Sequence, residues 1–400
     1  MQSPVLSREE ELYWLALKLI PGLGTRSVGK LLDRFRTPQA VFRASRTELE
    51  AAGVSGAVAQ SIASGCTFED ATAQQEKMME AGAVAITIGD PLYPALLREI
   101  FDPPIVLYAR GRLELLAELK LAVVGTRRPT PYGVNVAERL SADLSHAGLA
   151  IVSGMARGVD TAAHKGALAA GGDTIAVLGC GVDVVYPSEN RKLMGEIATR
   201  GLILSEFPMG ATAFPQNFPI RNRIISGMSL GVLVVEGAQY SGSAITARLA
   251  MDQGREVFAI PGNITSKLSW CPNLLIKQGA RLVQDWNDVV AELPAESRRH
   301  LIDRSRSRLL GGNGATSGAE QTSLLTGQEP GAQGIPEQSP LGPAARRALE
   351  SLQVDAAVHL DDLLEKIEDV SPSELIAALF ELEMLGLVKQ LPGKNFVKVW

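Results

Sequence analysis

The sequence predicts an α/β protein: a doubly wound, mainly parallel sheet flanked at each end by a smaller, largely helical domain. Three observations carry this. Six short apolar runs between residues 121 and 262 alternate with helical stretches. A Pro-Gly-x-Gly turn joins two apolar helices near the start of the chain. Three helical segments and a hairpin close it, beyond a stretch rich in Gly, Ser, Gln and Pro.

The 400 residues exceed one ordinary core, so two or three domains are expected. No apolar run reaches membrane-spanning length, and MQSPVLSREEE lacks the basic-then-apolar pattern of a secretion signal. Cys66, Cys180 and Cys271 are odd in number, far apart and without a CxxC pair. They point to a reducing compartment, hence to the cytoplasm, and to no zinc site; no other metal and no cofactor is expected. A net charge of −5 excludes a generally basic coat for nucleic acid. Between Gly82 and Glu292, 19 Lys+Arg balance 19 Asp+Glu, so any phosphate-binding surface there is a local cluster. From Arg346 onward 6 basic residues face 10 acidic ones, which suits DNA poorly.

Residues 1–75 read as short helices. Ser7 and Glu10 form a capping box that opens the first. The run from Ile20 to Phe35, IPGLGTRSVGKLLDRF, has the helix-hairpin-helix pattern, with a looser copy at Ala51–Ala63. Such SAM-like domains either present turn N–H groups to a phosphate or simply pack. Residues 76–297 carry the strand candidates 121–125, 149–154, 174–179, 201–207, 231–237 and 256–262, with helices such as Tyr132–Ala147 and Thr161–Ala170 between them. Near-continuous apolar strands separated by helices give a parallel, Rossmann-like sheet covered on both faces, and ligands bind beyond its carboxyl edge. Residues 298–342 read as a flexible linker. Residues 343–400 follow a winged-helix pattern, with Ser371, Pro372 and Glu374 capping the third helix and a hairpin around Pro392-Gly393. That helix carries Glu374, Glu381 and Glu383 and no basic residue before Lys389, so a protein-interaction module is expected rather than a DNA reader.

Five turns after the strands hold the candidate chemistry. Gly125-Thr126-Arg127 offers a tight turn, a hydroxyl and a planar fork for phosphate, without a dinucleotide fingerprint. Ser153-Gly154 and Arg157-Gly158 keep the backbone open to a ligand, with Asp160 as a cap and His164 and Lys165 one turn on. An Asp160/His164 catalytic pair is the sharper alternative to a capping Asp and a structural His. The third turn, Leu178–Asn190, has two glycines and a Tyr-Pro step. In the fourth, Phe214 to Gly227, Phe218 can stack on a base while Arg221, Asn222 and Arg223 hold phosphates. Equally, the phenylalanines can be core and the arginines can pair with Glu206 or Glu236. Ser241-Gly242-Ser243 starts a helix, where free N–H groups attract an anion or where the serines merely cap. The set has no nucleophile elbow and no clear carboxylate pair.

Taken in order, VVGTRRPTPYG (123–133), IVSGMARGVDTAAH (151–164), FPIRNRIISG (218–227), GAQYSGSAITARLA (237–250) and NLLIKQGARLV (273–283) resemble the DprA/Smf family of DNA-processing proteins. The resemblance covers roughly 200 residues and is far more specific than any single motif. It implies a homodimer that binds single-stranded DNA without catalysis and helps load the RecA recombinase during natural transformation. Together with the turns read above, it leads to expected DNA contacts at Gly125, Thr126, Arg127, Ser153, Gly154, Arg157, Gly158, Lys165, Asn190, Phe218, Arg221, Asn222, Arg223, Ser241, Gly242 and Ser243. Ser188 stands where some members carry Lys, and Cys271 where many have Gly.

Two rivals remain. One is a nucleotide-processing enzyme of phosphoribohydrolase type, although Pro261-Gly262-Asn263-Ile264-Thr265 lacks the Glu such enzymes need. The other is a duplex reader acting through residues 20–63 and the terminal domain.

Overall fold

The computed structural model describes residues 6–302, 342–352, 357–367, 370–385, 387–391 and 393–398. The chain divides after Val289 into two compact units.

The first unit opens with six helices: α1 (Arg8–Leu19), α2 (Thr25–Phe35), α3 (Pro38–Arg43), α4 (Arg46–Ala51), α5 (Gly56–Ser64) and α6 (Phe68–Ala81). The predicted capping box is present. Glu10 N–H donates to Ser7 Oγ at 3.2 Å, and Ser7 N–H donates to the Glu10 carboxylate at 2.9 Å. Both predicted glycine turns join helices, with Gly22 and Gly53 at positive φ. The domain boundary expected at residue 75 falls inside α6. These helices are not a free-standing bundle. Leu15, Leu31, Leu49 and Ile62 share one core with Val106, Tyr108, Ala176 and Ile203 of the sheet. Polar ties reinforce the layer: Met209 N–H donates to Gln74 Oε1 at 2.7 Å, and Lys18 pairs with Glu206 at 3.0 Å.

The sheet has nine strands: β1 (Val84–Thr87), β2 (Val106–Gly111), β3 (Lys120–Val124), β4 (Ala150–Ser153), β5 (Thr174–Leu178), β6 (Leu202–Ser205), β7 (Gly231–Val234), β8 (Glu256–Ala259) and β9 (Arg281–Leu282). Their order is β1-β2-β6-β5-β4-β3-β7-β8-β9. Six of them, β3 to β8, are the six predicted runs, and they pair in parallel. At the edge, β1 and β2 are antiparallel additions the sequence did not announce. They are short, and the segment joining them holds Pro91, Pro94, Pro103 and Pro104, which hides the alternating βα rhythm. The short helix α7 (Ala95–Arg98) lies in that segment. Helices α8 (Pro131–His146), α9 (Val159–Ala169), α10 (Arg191–Arg200), α11 (Asn217–Gly227), α12 (Gly242–Asp252), α13 (Trp270–Lys277) and α14 (Trp286–Glu292) connect or follow the strands. The chain turns to β4, β5 and β6 on one side of β3 and to β7 and β8 on the other. The carboxyl ends of β3 and β7 therefore flank the topological switch point, where such sheets bind ligands.

Helix α9 packs closely on α8 because its contact face is small: Ala162, Ala163, Gly166 and Ala167 are all buried. A Cβ at Gly166 would overlap the Glu138 carbonyl of α8. Beside it, His164 is fully buried, its Nδ1 2.7 Å from Thr174 Oγ1. That hydroxyl donates onward to the Ile151 carbonyl at 2.8 Å, so its oxygen accepts from Nδ1–H. Burial, aided by the Arg221 guanidinium, pushes the His164 pKa down to about 3. His164 is a structural residue of the core.

In the second unit, helices Pro343–Ser351, Leu360–Lys366 and Pro372–Met384 pack on a three-stranded sheet of β10 (Val358–His359), β12 (Asn395–Lys398) and β11 (Val388–Leu391), in that order. This is the predicted winged helix, with the Ser371/Glu374 cap in place. The third helix is less acidic at its surface than its sequence suggests. Glu381 and Glu383 are buried, and Gln390 N–H donates to Glu383 at 3.1 Å. Residues 298–302, expected to begin the linker, are helical; 303–341 and Pro392 lie outside the described residues. No helix among the described residues is long and apolar enough to cross a membrane, and none of their His, Cys, Asp and Glu side chains form a metal-binding group of three or more.

Two outcomes follow from the α8–α9 packing. Gly166→Ala forces the helices apart and costs about 1–3 kcal/mol of stability, read as a lower urea midpoint. His164 is neutral in the fold and titrates near 6.5 when unfolded, so its contribution is complete above pH 6.5 and is lost as pH falls toward 3. His164→Gln therefore flattens the decline of stability between pH 6.5 and 4; an unchanged slope assigns the acid lability elsewhere.

Candidate nucleic-acid interface

The turns after five parallel strands, β3 to β7, meet at one cleft of about 570 Å³. After β3, Thr126 N–H donates to the Glu236 carbonyl at 2.7 Å, and the Thr126 carbonyl accepts from Val159 N–H at 3.2 Å. Gly158 sits at φ +78°, and a Cβ there would strike the Thr126 carbonyl and Pro129. The loops after β3 and β4 are thus locked together backbone to backbone. Gly125 and Thr126 line the cleft, and Arg127 reaches it from an exposed position.

Asp160 does not cap its own helix, as the sequence suggested; the N-cap of α9 is Gly158. Its carboxylate instead accepts from Gly154 N–H at 3.1 Å and Ala156 N–H at 3.3 Å, tying down the loop that precedes the helix. Burial raises its pKa, and Arg221 opposes that shift. Ser153 is buried and donates to the Val123 carbonyl at 2.6 Å, so it shapes the strand end rather than the cleft surface. Asn190 is also buried, donating to the Met155 carbonyl and to Thr161 Oγ1, both at 2.9 Å. Arg157 is exposed and paired with Glu189 at 2.5 Å. It lines a small annex of the cleft with Gly154, Tyr186 and Phe218. Lys165 is exposed on α9 and is not among the lining residues.

Helix α11 brings the aromatic and cationic groups. Phe218 is half-buried and stacks on Tyr186, with centroids 5.6 Å apart and planes tilted by 29°. The Arg127 guanidinium lies 5.0 Å from the Phe218 centroid on the cation–π scale of contact. Gly179 leaves the space the ring needs, since a Cβ there would approach it to 2.9 Å. Arg221 is buried beneath, donating to the Gly154 carbonyl at 2.6 Å and the Val177 carbonyl at 2.5 Å. Its Nε has no partner among the described residues. Asn222 lines the cleft. Arg223 is placed otherwise: it pairs with Glu206 at 2.7 Å and Asp102 at 3.0 Å and is not a lining residue. Glu236, the other acid weighed as an arginine partner, accepts from the Thr130 hydroxyl at 2.6 Å and the Thr130 N–H at 2.8 Å.

The last wall is the start of α12. Ser241 caps it, accepting from Ala244 N–H at 3.3 Å, while Gly242 and Ser243 line the cleft. Free N–H groups there favour an anion. At the start of α8, by contrast, the Glu236 carboxylate already occupies that role. The cleft therefore combines a planar aromatic platform, one exposed and one buried guanidinium, and small residues that let a backbone come close. That set is chemically suited to an anionic, ring-bearing ligand. Sequence reasoning missed Tyr186, because only the fold brings the Tyr-Pro step after β5 against Phe218.

Comparison with known proteins places the chain in one family. The model for DNA recombination-mediator protein A matches residues 84–294, and that for the DprA winged-helix domain matches residues 333–394. Protein Smf of Synechocystis sp. is 35% identical, covering 98% of this chain and 99% of its own. The X-ray structure of DNA processing protein A from Streptococcus pneumoniae is 38% identical with a TM-score of 0.64, covering 71% of this chain and 98% of that one. A structure of DNA processing protein A from Helicobacter pylori, described for its single-stranded DNA binding mode, is 34% identical with a TM-score of 0.47, covering 51% of this chain and 93% of that one. With both the sheet domain and the winged helix matched, and a relative aligned end to end, the chain belongs to the DNA recombination-mediator protein A (DprA/Smf) family.

Proposed function

We propose that this protein binds single-stranded DNA in the cleft beyond β3–β7 and passes it to the RecA recombinase, as a cytoplasmic homodimer that does no chemistry on the strand. The observation that carries the DNA-binding part is the Arg127–Phe218–Tyr186 stack at the cleft mouth. In this reading a base stacks on the part-exposed Phe218, and Arg127 and the start of α12 take its phosphates. A duplex hides its base faces, so such a platform favours single strands. The RecA and homodimer parts rest on family membership. The sixteen residues expected to touch DNA divide accordingly. Gly125, Thr126, Arg127, Phe218, Asn222, Gly242 and Ser243 are proposed as contacts. Ser153, Gly154, Asn190, Arg221 and Arg223 are proposed to shape the site from beneath. Arg157, Lys165, Gly158 and Ser241 flank it.

Fluorescence anisotropy with labelled oligo-dT and a matched duplex, across a salt series, tests the proposal. Arg127→Ala should weaken oligo-dT binding at every salt and shrink the salt slope by about 0.7, the loss of one phosphate contact. Phe218→Ala should cost about 1–3 kcal/mol while leaving the slope unchanged, because stacking is not ionic. Equal affinity for duplex and single strand, or release of free base from a nucleotide, would replace this proposal with a duplex reader or a nucleotide hydrolase. For the downstream step, wild-type protein should speed RecA filament formation on oligo-dT coated with single-strand binding protein, and Phe218→Ala should not. Equal acceleration by both proteins would separate loading from the cleft.

A further inference from the structure

The helix-hairpin-helix turn predicted at Ile20–Phe35 is not used by the cleft, yet the helix it opens has a distinct chemistry. Between Pro21 and Ser45 the chain carries five basic residues, Arg26, Lys30, Arg34, Arg36 and Arg43, against one acid, Asp33, in a protein of net charge −5. Arg26, Lys30 and Arg34 are spaced four apart on α2 and all are exposed, so they form one basic ridge. None of the three is in an ion pair among the described residues. At the start of the ridge the Arg26 guanidinium lies 4.2 Å above the ring of Phe101. Phe101 is 76% exposed, the most exposed phenylalanine among the large apolar side chains at the surface. The acids beside it are neutralised: Asp102 by Arg223 at 3.0 Å and Glu99 by Arg255 at 3.8 Å.

One contact ties this platform to the helix that carries the cleft's aromatic group. Asp102, next to Phe101, bonds Arg223 of α11, the same helix that carries Phe218 and Arg221. An exposed ring with an arginine over it, followed by a row of cations, repeats the Phe218–Arg127 arrangement outside the cleft. Resting on the reading of the cleft as a single-strand site, we infer that Phe101 and the Arg26–Lys30–Arg34 ridge form a second contact for the same DNA strand. A base stacks on Phe101, and the following phosphates run along α2. A single strand has both the flexible backbone to bend from cleft to ridge and the free base face that Phe101 requires.

The test uses full-length protein and dT oligomers of two lengths, about 6 and about 25 nucleotides, chosen to bracket the span of one single-strand site. Phe101→Ala should weaken binding of the long oligomer by about five- to tenfold and leave the short one unchanged. The double variant Arg26→Ala/Lys30→Ala should lower the long-oligomer salt slope by about 1.4, two phosphates' worth, again sparing the short one. Thermal unfolding of both variants should match wild type, since the side chains are exposed. Unchanged long-oligomer affinity in both variants overturns the inference. So does equal loss on the short oligomer, which would mean that the change acted through Asp102 and Arg223 on the cleft. A larger loss on duplex than on single strand overturns it too. The outcomes for the cleft are separate. Arg127→Ala and Phe218→Ala without effect on either oligomer sink the cleft reading, whatever Phe101→Ala does; a wild type that gains nothing from the longer oligomer sinks only the ridge.

Discussion

One buried guanidinium organises the carboxyl edge of this sheet. Arg221 holds the carbonyls of Gly154, just past β4, and of Val177, within β5. A charge-assisted bond of this kind contributes about 1.5–3 kcal/mol, roughly twice a neutral one. Its cost is a cation out of water, offset in part by the Asp160 carboxylate nearby. A Cβ at Gly154 would overlap the guanidinium, so any larger residue there pushes Arg221 off its carbonyls. Because Arg221 fixes α11 against two strands, Phe218, one turn earlier on the helix, is presented rather than left to wander. The groups that face solvent are cheap and few, whereas the groups that aim them are buried and mutually dependent.

That division explains what the sequence could and could not disclose. The parallel strands were legible because each is a continuous apolar run, and runs of that kind fit only a sheet covered on both sides. The cleft was legible as a set of turns rich in Gly, Ser, Thr and Arg. What stayed hidden is direction. Arg221 and Arg223 are two residues apart on one helix, so they point to different neighbours, one under the cleft and one toward Glu206. A motif written as Arg-Asn-Arg does not say which arginine faces the ligand. Asp160 likewise reads as a cap by its position, yet it bonds backward to the loop, because Gly158 at positive φ lets the chain fold over it. The edge strands β1 and β2 were unreadable for a simpler reason: they pair antiparallel and lack the intervening helix that marks a crossover.

The winged helix shows the same limit. Its three glutamates suggested an acidic recognition face. Two of them are turned into the domain, one accepting a backbone N–H from the hairpin. Charge counted along a sequence is not charge presented to a partner.

The shared core of the N-terminal helices and the sheet has a consequence for how such a chain can be inherited. Leu15, Leu31 and Ile62 fill the same interior as Tyr108 and Ile203. A layer fused in this way is not a detachable module: shuffling it away would leave one side of the sheet wet and greasy. A relative without these helices would need polar residues on that side of the sheet instead. The presence or absence of the N-terminal layer should accordingly be written into the strands themselves, at positions far from the segment gained or lost.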